Sequence, residues 1–321
     1  MKKESISLKK SHLFSQLISD FIDFEPEIKP LVKSFFNSGS LKPILKTLPK
    51  IKNQSRKILV NVLNEQYKQT CFFDSNLSIV ENNISKLSNS TTYSITTGHQ
   101  LHIFASPLFL IYKIISVISL SNYLNKVIDE CHFVPCFWMA TEDHDFEEIR
   151  HLNLYNKRYT WDLITQDAVG NLSSKSLSLL INKIESIITN TKYGRDLFNL
   201  YKYSYTKNLN YANATRSLLT GLFSEYGLVI IDGNHLKLKN IFKPDFQAEI
   251  NDGFVFNSVS KTNKLISKKY NPEINPMKSN IFYLSKSIRS KLRLDKKKYF
   301  TNKHNINWSK SELLNEIEKH P

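Results

Sequence analysis

A chain of 321 residues that is 41% hydrophobic and 12% aromatic can bury a sizeable core, which excludes wholesale disorder. Its formal charge of +15 admits a polyanionic partner, but the excess lies scattered in pairs such as Lys9-Lys10 and Lys268-Lys269. Lys, Asn and Ile are abundant together, as an AT-rich coding sequence produces, so the charge alone does not establish a nucleic-acid binder. Cys71, Cys131 and Cys136 form neither a disulfide framework nor a CxxC pair, which excludes a disulfide-stapled fold and points to a reducing compartment.

Residues 1–11 are basic, but no continuous apolar stretch follows, so no secretory leader is read and the chain is expected in the cytoplasm. Residues 1–88 read as a helical region. Leu13, Leu17, Ile18, Phe21 and Ile22 follow helical spacing, as do Ile58, Val62 and Leu63, and prolines 26, 30, 43 and 49 punctuate the run. No catalytic cluster falls there, and the region is expected to serve packing and substrate-lid roles.

The pattern changes at Thr91. Residues 93–97 are β-prone and end at Gly98, and a loop over 99–105 follows. Ser106 and Pro107 suit the N-cap and first turn of a helix striped by Leu108, Ile111, Ile115 and Ile118. The apolar run 107–120, interrupted by Lys113, reads as too short to span a bilayer. Residues 133–140 are almost continuously apolar, which suits a strand buried on both faces of a parallel sheet. Asp145 and Glu148 then have capping-box spacing. Strand, loop, helix, strand is a βαβ unit, and such units gather polar chemistry at the carboxyl ends of their strands. The reading is an α/β fold, with a first part of the core over 89–171 and a helical insertion over 172–226. Residues 227–321 form the rest of the core with a connecting segment. Within that last part, 226–233 returns to a buried strand ending at Asp232; two helices and strands over 280–284 and 288–294 follow.

Two motifs carry candidate chemistry. In Thr97-Gly98-His99-Gln100, a Gly at a strand end lets backbone N–H groups approach an anion, and His99 can donate to a developing oxyanion. The plain alternative is a turn glycine beside a surface histidine. Glu142-Asp143-His144-Asp145 follows an apolar strand directly, where four ionisable side chains are costly unless exposed or liganded. Its plain alternative is a solvated helix start capped by Asp145. Both motifs are expected to face one crevice at the sheet edge. His99, His102, His144 and His151 also raise a metal reading, although their spacing matches no standard zinc signature. No GxSxG or P-loop occurs, and Cys136 sits inside the apolar strand.

At these motifs the chain resembles the BshC family, the cysteine ligases of bacillithiol biosynthesis, whose members carry T-G-[QH]-Q before a Pro-led helix and E-D-H-D-F after a hydrophobic strand. The matching residues are Thr97-Gly98-His99-Gln100 with Pro107 and Tyr112-Lys113, then Glu142-Asp143-His144-Asp145-Phe146. Tyr226-Gly227-Leu228-Val229 leading to Asp232, and Asn280-Ile281-Phe282-Tyr283, resemble further family landmarks in order. The resemblance implies a Rossmann-like parallel-sheet core with a helical coiled-coil part. It implies addition of cysteine to glucosaminyl-malate, with ATP as a co-substrate by analogy with class I aminoacyl-tRNA synthetase-like enzymes. Under it, His99, Asp143 and His144 are the catalytic candidates. Thr97, Gly98, Gln100, Lys113, Glu142, Asp145 and Asp232 are the substrate- or nucleotide-binding ones, and no metal is required. Partners are small-molecule substrates rather than membrane or nucleic acid, and a homodimer is left open.

Two departures stand out. Ala105-Ser106 replace glycines that family loops often carry, and the chain ends at Pro321 where family members continue. The chain therefore reads as C-terminally truncated. A non-catalytic remnant and a basic nucleic-acid-binding protein are the competing functions.

Overall fold

The computed structural model describes residues 6–32, 38–285, 288–302 and 306–321. Parts of the basic N-terminus (1–5) and of the expected helical region (33–37) lie outside them. The chain divides into two units: one of Ile51–Lys243, Phe282–Ser290 and Glu318–Pro321, the other of Met1–Lys50, Pro244–Ile281 and Lys291–Ile317.

The first unit is built on a parallel sheet of β1 (Thr92–His99), β2 (His132–Met139) and, after the β3 (His151–Leu154) and β4 (Lys157–Thr160) hairpin, β5 (Val229–Asp232). The sheet order is β1-β2-β5. Phe133, Val134, Cys136, Phe137 and Met139 of the central strand are all buried, as its unbroken apolar run requires. One face, through Phe137, Met139 and Ile230, packs with Ile114 and Ile118 of the helix Leu108–Val127 and with Leu180, Ile184 and Leu218 of the insertion. The other, through Val134, Cys136, Val229 and Ile231, packs with Leu63 and Tyr67 of the helix Asn53–Lys68 and Val80 and Ile84 of the helix Ser78–Lys86. Helices cover both faces of a parallel sheet, so the α/β expectation holds and its βαβ unit is β1, Leu108–Val127, β2. Truncating a fully buried residue such as Ile230 to Ala in such a core costs about 2–5 kcal/mol.

Several elements differ from the sequence reading. Pro107, not Ser106, is the N-cap residue of the long helix. Ser106 is held instead by the preceding turn, its hydroxyl donating to Ile103 O at 2.9 Å. The apolar run 107–120 continues as one helix of 20 residues, which by length and composition alone is long enough to cross a bilayer. In this unit it is the crossover helix, with Leu110, Ile114, Val117, Ile118 and Leu124 buried. The last core strand is shorter than 226–233, because the helix Tyr211–Phe223 runs on through a turn to Gly227 at φ 70°. A Cβ there would lie 2.4 Å from Asn83 Nδ2, so both the backbone and the space call for glycine. The β3–β4 hairpin falls in a stretch given no element in the sequence reading. Its tip is Tyr155 and Asn156, both at positive φ.

Three helices, Leu236–Ile241, Lys243–Asp252 and Phe254–Ile266, stand where two are expected, the last two being separated by Gly253 at φ 57°. The expected strands 280–284 and 288–294 are Phe282–Ser285 and Ile288–Lys291. Leu292 breaks the second, its N–H donating to Ile281 O at 3.0 Å. In the second unit, Arg293–Asp295, Lys298–Phe300 and Asn307–Ser309 form an antiparallel sheet.

Candidate active site

Strand register brings the motifs together. His99 pairs with Met139, and Met139 pairs with Asp232, so the three parallel strands end level with one another. The residues that leave those ends are Gln100, the segment from Thr141 to Asp145, and Gly233-Asn234. Gly98 pairs with Trp138, and a Cβ at Gly98 would come within 3.3 Å of the Trp138 carbonyl oxygen.

The two motifs are joined by a side-chain hydrogen bond: Gln100 Nε2 donates to Asp143 Oδ2 at 2.5 Å. Asp143 Oδ1 accepts the His144 N–H at 2.8 Å and lies 3.5 Å from Arg289 of the strand Ile288–Lys291. Burial alone raises the Asp143 carboxyl, but the Gln100 amide, the His144 N–H and the Arg289 charge outweigh it and hold it below its usual range. His144 turns its ring back, Nδ1 lying 3.0 Å from Glu142 O. Lys113, from the second turn of the crossover helix, donates Nζ–H to Gly98 O at 2.5 Å.

His99 is pushed down to about 4, first by partial burial and then by the charges of Lys113 and His102, so it is neutral near pH 7. Its ring stands 5.2 Å from His102 and edge-on to Phe109 at 6.0 Å. Asp232 accepts from Thr141 Oγ1 at 2.5 Å and from Asn234 N at 2.9 Å. Asp145 fulfils its expected capping role, accepting from Glu148 N at 3.1 Å at the head of the short helix Phe146–Ile149. Thr97 lies half-buried in β1 beside Phe137.

Four atoms in the two motifs are buried without a hydrogen-bond partner among the described residues: His99 Nε2, Gln100 Oε1, Glu142 Oε2 and His144 Nε2. Other buried side-chain atoms, Ser121 Oγ and His132 Nε2 among them, also lack a partner among the described residues, so it is the grouping of four in two adjoining motifs that sets this edge apart. His151 is engaged otherwise, its Nδ1 lying 3.0 Å from Thr160 Oγ1. Among the described residues, no three His, Cys, Asp or Glu side chains are grouped to hold a metal ion.

Sequence reasoning missed several residues of this edge. Lys239, half-buried, is lowered by that burial, with Glu142 and Asp232 acting in the opposite sense. Arg289 reaches Asp143 from far along the chain. Gln66 grips the end of β5, donating to Asp232 O at 2.8 Å and accepting from Asp232 N at 3.1 Å. Fully buried Arg216 backs Gln66, donating to its Oε1 at 3.2 Å. The separations between these partners in sequence leave no local signal that would have found them.

A parallel sheet covered by helices, with polar side chains gathered past the carboxyl ends of its strands, defines a Rossmann-like domain. The family model described as "Bacillithiol biosynthesis BshC, N-terminal Rossmann-like domain" matches residues 1–321, and the chain belongs to that family. A protein of Flavobacterium johnsoniae named "Putative cysteine ligase BshC" is 36% identical over 322 residues, covering 100% of this chain and 60% of that protein. Proteins of the same name are 38% identical in Flavobacterium psychrophilum, over 99% of this chain and 59% of theirs, and 26% identical in Staphylococcus epidermidis, over 75% and 47%. The chain thus spans about 60% of the length of its more similar relatives.

Proposed function

We propose that this chain carries the substrate site of a cytoplasmic carbon–nitrogen ligase that joins cysteine to glucosaminyl-malate in the last step towards bacillithiol. The observation that carries the reading is the Gln100–Asp143 hydrogen bond at the level ends of the parallel strands, which unites the two family motifs in one polar site. Family membership and the names of the relatives support a ligase.

Amide formation needs an activated carboxyl group and an amine freed of its extra proton. We assign the first task to ATP. Thr97, Gly98 and His99 are the residues to meet its phosphates, since Gly98 leaves the backbone open and neutral His99 has an unpartnered Nε2. Lys113, beside Gly98 O, supplies positive charge. When bound, ATP would supply the leaving group that activates the carboxyl. Glu142 and Asp143 orient the amine, Asp145 holds the turn that presents them, and His144 moves a proton. Asp232, held by the Thr141 hydroxyl at 2.5 Å, adds a further carboxylate to the acidic set.

The test is formation of thiol product from cysteine, glucosaminyl-malate and ATP, and its loss in His99→Ala and Asp143→Ala. Because the chain spans about 60% of its relatives' length, the second reading is a domain that keeps the site without turnover. Folded protein that yields no product would favour it. The formal charge of +15 keeps one control necessary: retention on RNA that falls steeply with salt and ignores the motif residues would mark a nucleic-acid binder.

A further inference from the structure

Resting on the ligase reading, the geometry points to Gln100, Glu142 and His144 as a receptor for a protonated primary amine of the substrate, with His144 Nε2 removing one of its protons. Hydrogen-bond polarity carries this assignment. An ionised carboxylate only accepts, so the end of Gln100 that meets Asp143 at 2.5 Å is its NH2 group. Gln100 Oε1 is thereby left as an acceptor. A peptide carbonyl also only accepts, so His144 Nδ1, 3.0 Å from Glu142 O, carries the ring hydrogen. In the neutral ring, Nε2 then bears a lone pair. Glu142 Oε2 is the third acceptor.

These three atoms are buried without partners among the described residues, and their residues belong to one network. Gln100 binds Asp143, Asp143 binds the His144 N–H at 2.8 Å, and His144 binds Glu142 O. Buried acceptors on residues linked in this way suit a ligand with several donors and positive charge. A primary ammonium offers three N–H groups and one charge; a phosphate oxygen offers only acceptors and is repelled. Gln100 therefore serves the amine, and nucleotide contact is left to Thr97, Gly98 and His99.

In the proton step, one N–H bond of R–NH3+ breaks and its electron pair stays on nitrogen. The proton passes to His144 Nε2. The products are R–NH2, with a lone pair free to attack, and an imidazolium whose Nδ1–H remains bonded to Glu142 O. Cysteine and glucosaminyl-malate both carry such an amine, so the test separates them.

The 321-residue chain is titrated calorimetrically with L-cysteine, with glucosaminyl-malate, and with the N-acetyl form of each, while the ring nitrogens of His144 are followed by NMR. One amine is expected to bind and to shift Nε2, and its acetylation to weaken binding by about tenfold or more. Gln100→Leu and the isosteric Glu142→Gln should weaken the same amine by about tenfold, the loss of one charge-assisted hydrogen bond. An acetylated analogue that binds as tightly as its amine overturns the amine receptor and leaves the ligase reading standing. So does Glu142→Gln without effect on a folded chain, or Zn2+ that occupies the site and excludes the amine. A folded chain that binds none of the four compounds overturns both.

Discussion

Two places in the first unit use a buried or half-buried carboxamide, and they use it in opposite ways. Behind the sheet, Asn208 accepts from Cys71 N at 2.9 Å and donates to Cys71 O and Ser204 O, each at 3.0 Å. Gln66 is equally engaged, on both sides of the Asp232 peptide and on Arg216. At the sheet edge, Gln100 makes one bond to Asp143 and keeps Oε1 buried without a partner. A satisfied amide fastens segments distant in sequence, whereas a half-satisfied one is held in readiness. The contrast is between carboxamides whose hydrogen bonds are made within the fold and one that keeps an acceptor for the proposed amine.

The largest break should come from Asn208→Ala, which takes the side-chain partner from the half-buried Cys71 N–H and from the buried Ser204 carbonyl, while Cys71 O keeps the Ser217 hydroxyl at 2.7 Å. Denaturant unfolding should show a loss of about 3 kcal/mol. Gly233→Ala comes next. Its Cβ would lie 2.0 Å from the Trp138 ring, so overpacking of about 2 kcal/mol is expected, with a change in tryptophan fluorescence. Trp138→Leu in the same chain should restore most of that loss.

A third test uses pH. His99 sits at about 4 in the folded chain against an ordinary 6.5. As pH falls from 6.5 towards 4 the unfolded chain gains a proton that the folded chain refuses, so stability drops across that window and levels off below it. His102 and His132, also lowered by burial, act in the same sense. His99→Asn should flatten the acid limb of a plot of urea midpoint against pH; an unchanged slope would show that His99 is not the group responsible.

Gln100→Leu should sharpen the contrast by its modest effect on the fold. The urea midpoint should move by less than about 1 kcal/mol, while the Asp143 carboxyl, followed by NMR, rises towards its usual range on losing a donor. Smallest of all should be Lys237→Ala. Its 2.5 Å pair with Glu65 is half-exposed on both sides, and such surface pairs contribute about 0.2–1 kcal/mol.

Much of the edge is legible in sequence because its signals are local. The unbroken apolar run of β2 and the Asp145–Glu148 cap spacing are read from neighbours a few residues apart, and both reappear in the fold, whereas β1 runs one residue past Gly98, to His99, where the loop is expected to start. The helix start at Pro107 is misread because the hydroxyl of Ser106 has a competing local partner in Ile103 O. The convergence of Gln100 on Asp143 is anticipated from the topology of a βαβ unit. Arg289, Gln66, Arg216 and Lys239 are not anticipated, since they arrive from other segments and only packing selects them.

The contact between Gly233 and Trp138 ties two positions that are far apart in the chain. The indole fills the space that any side chain at 233 would need. Substitutions at these positions are therefore not independent: a larger residue at 233 requires the indole, itself 38% exposed, to swing aside or to be replaced by a smaller side chain. In any set of related sequences the two columns should change as a pair, with a bulky residue at one matched by a small residue at the other.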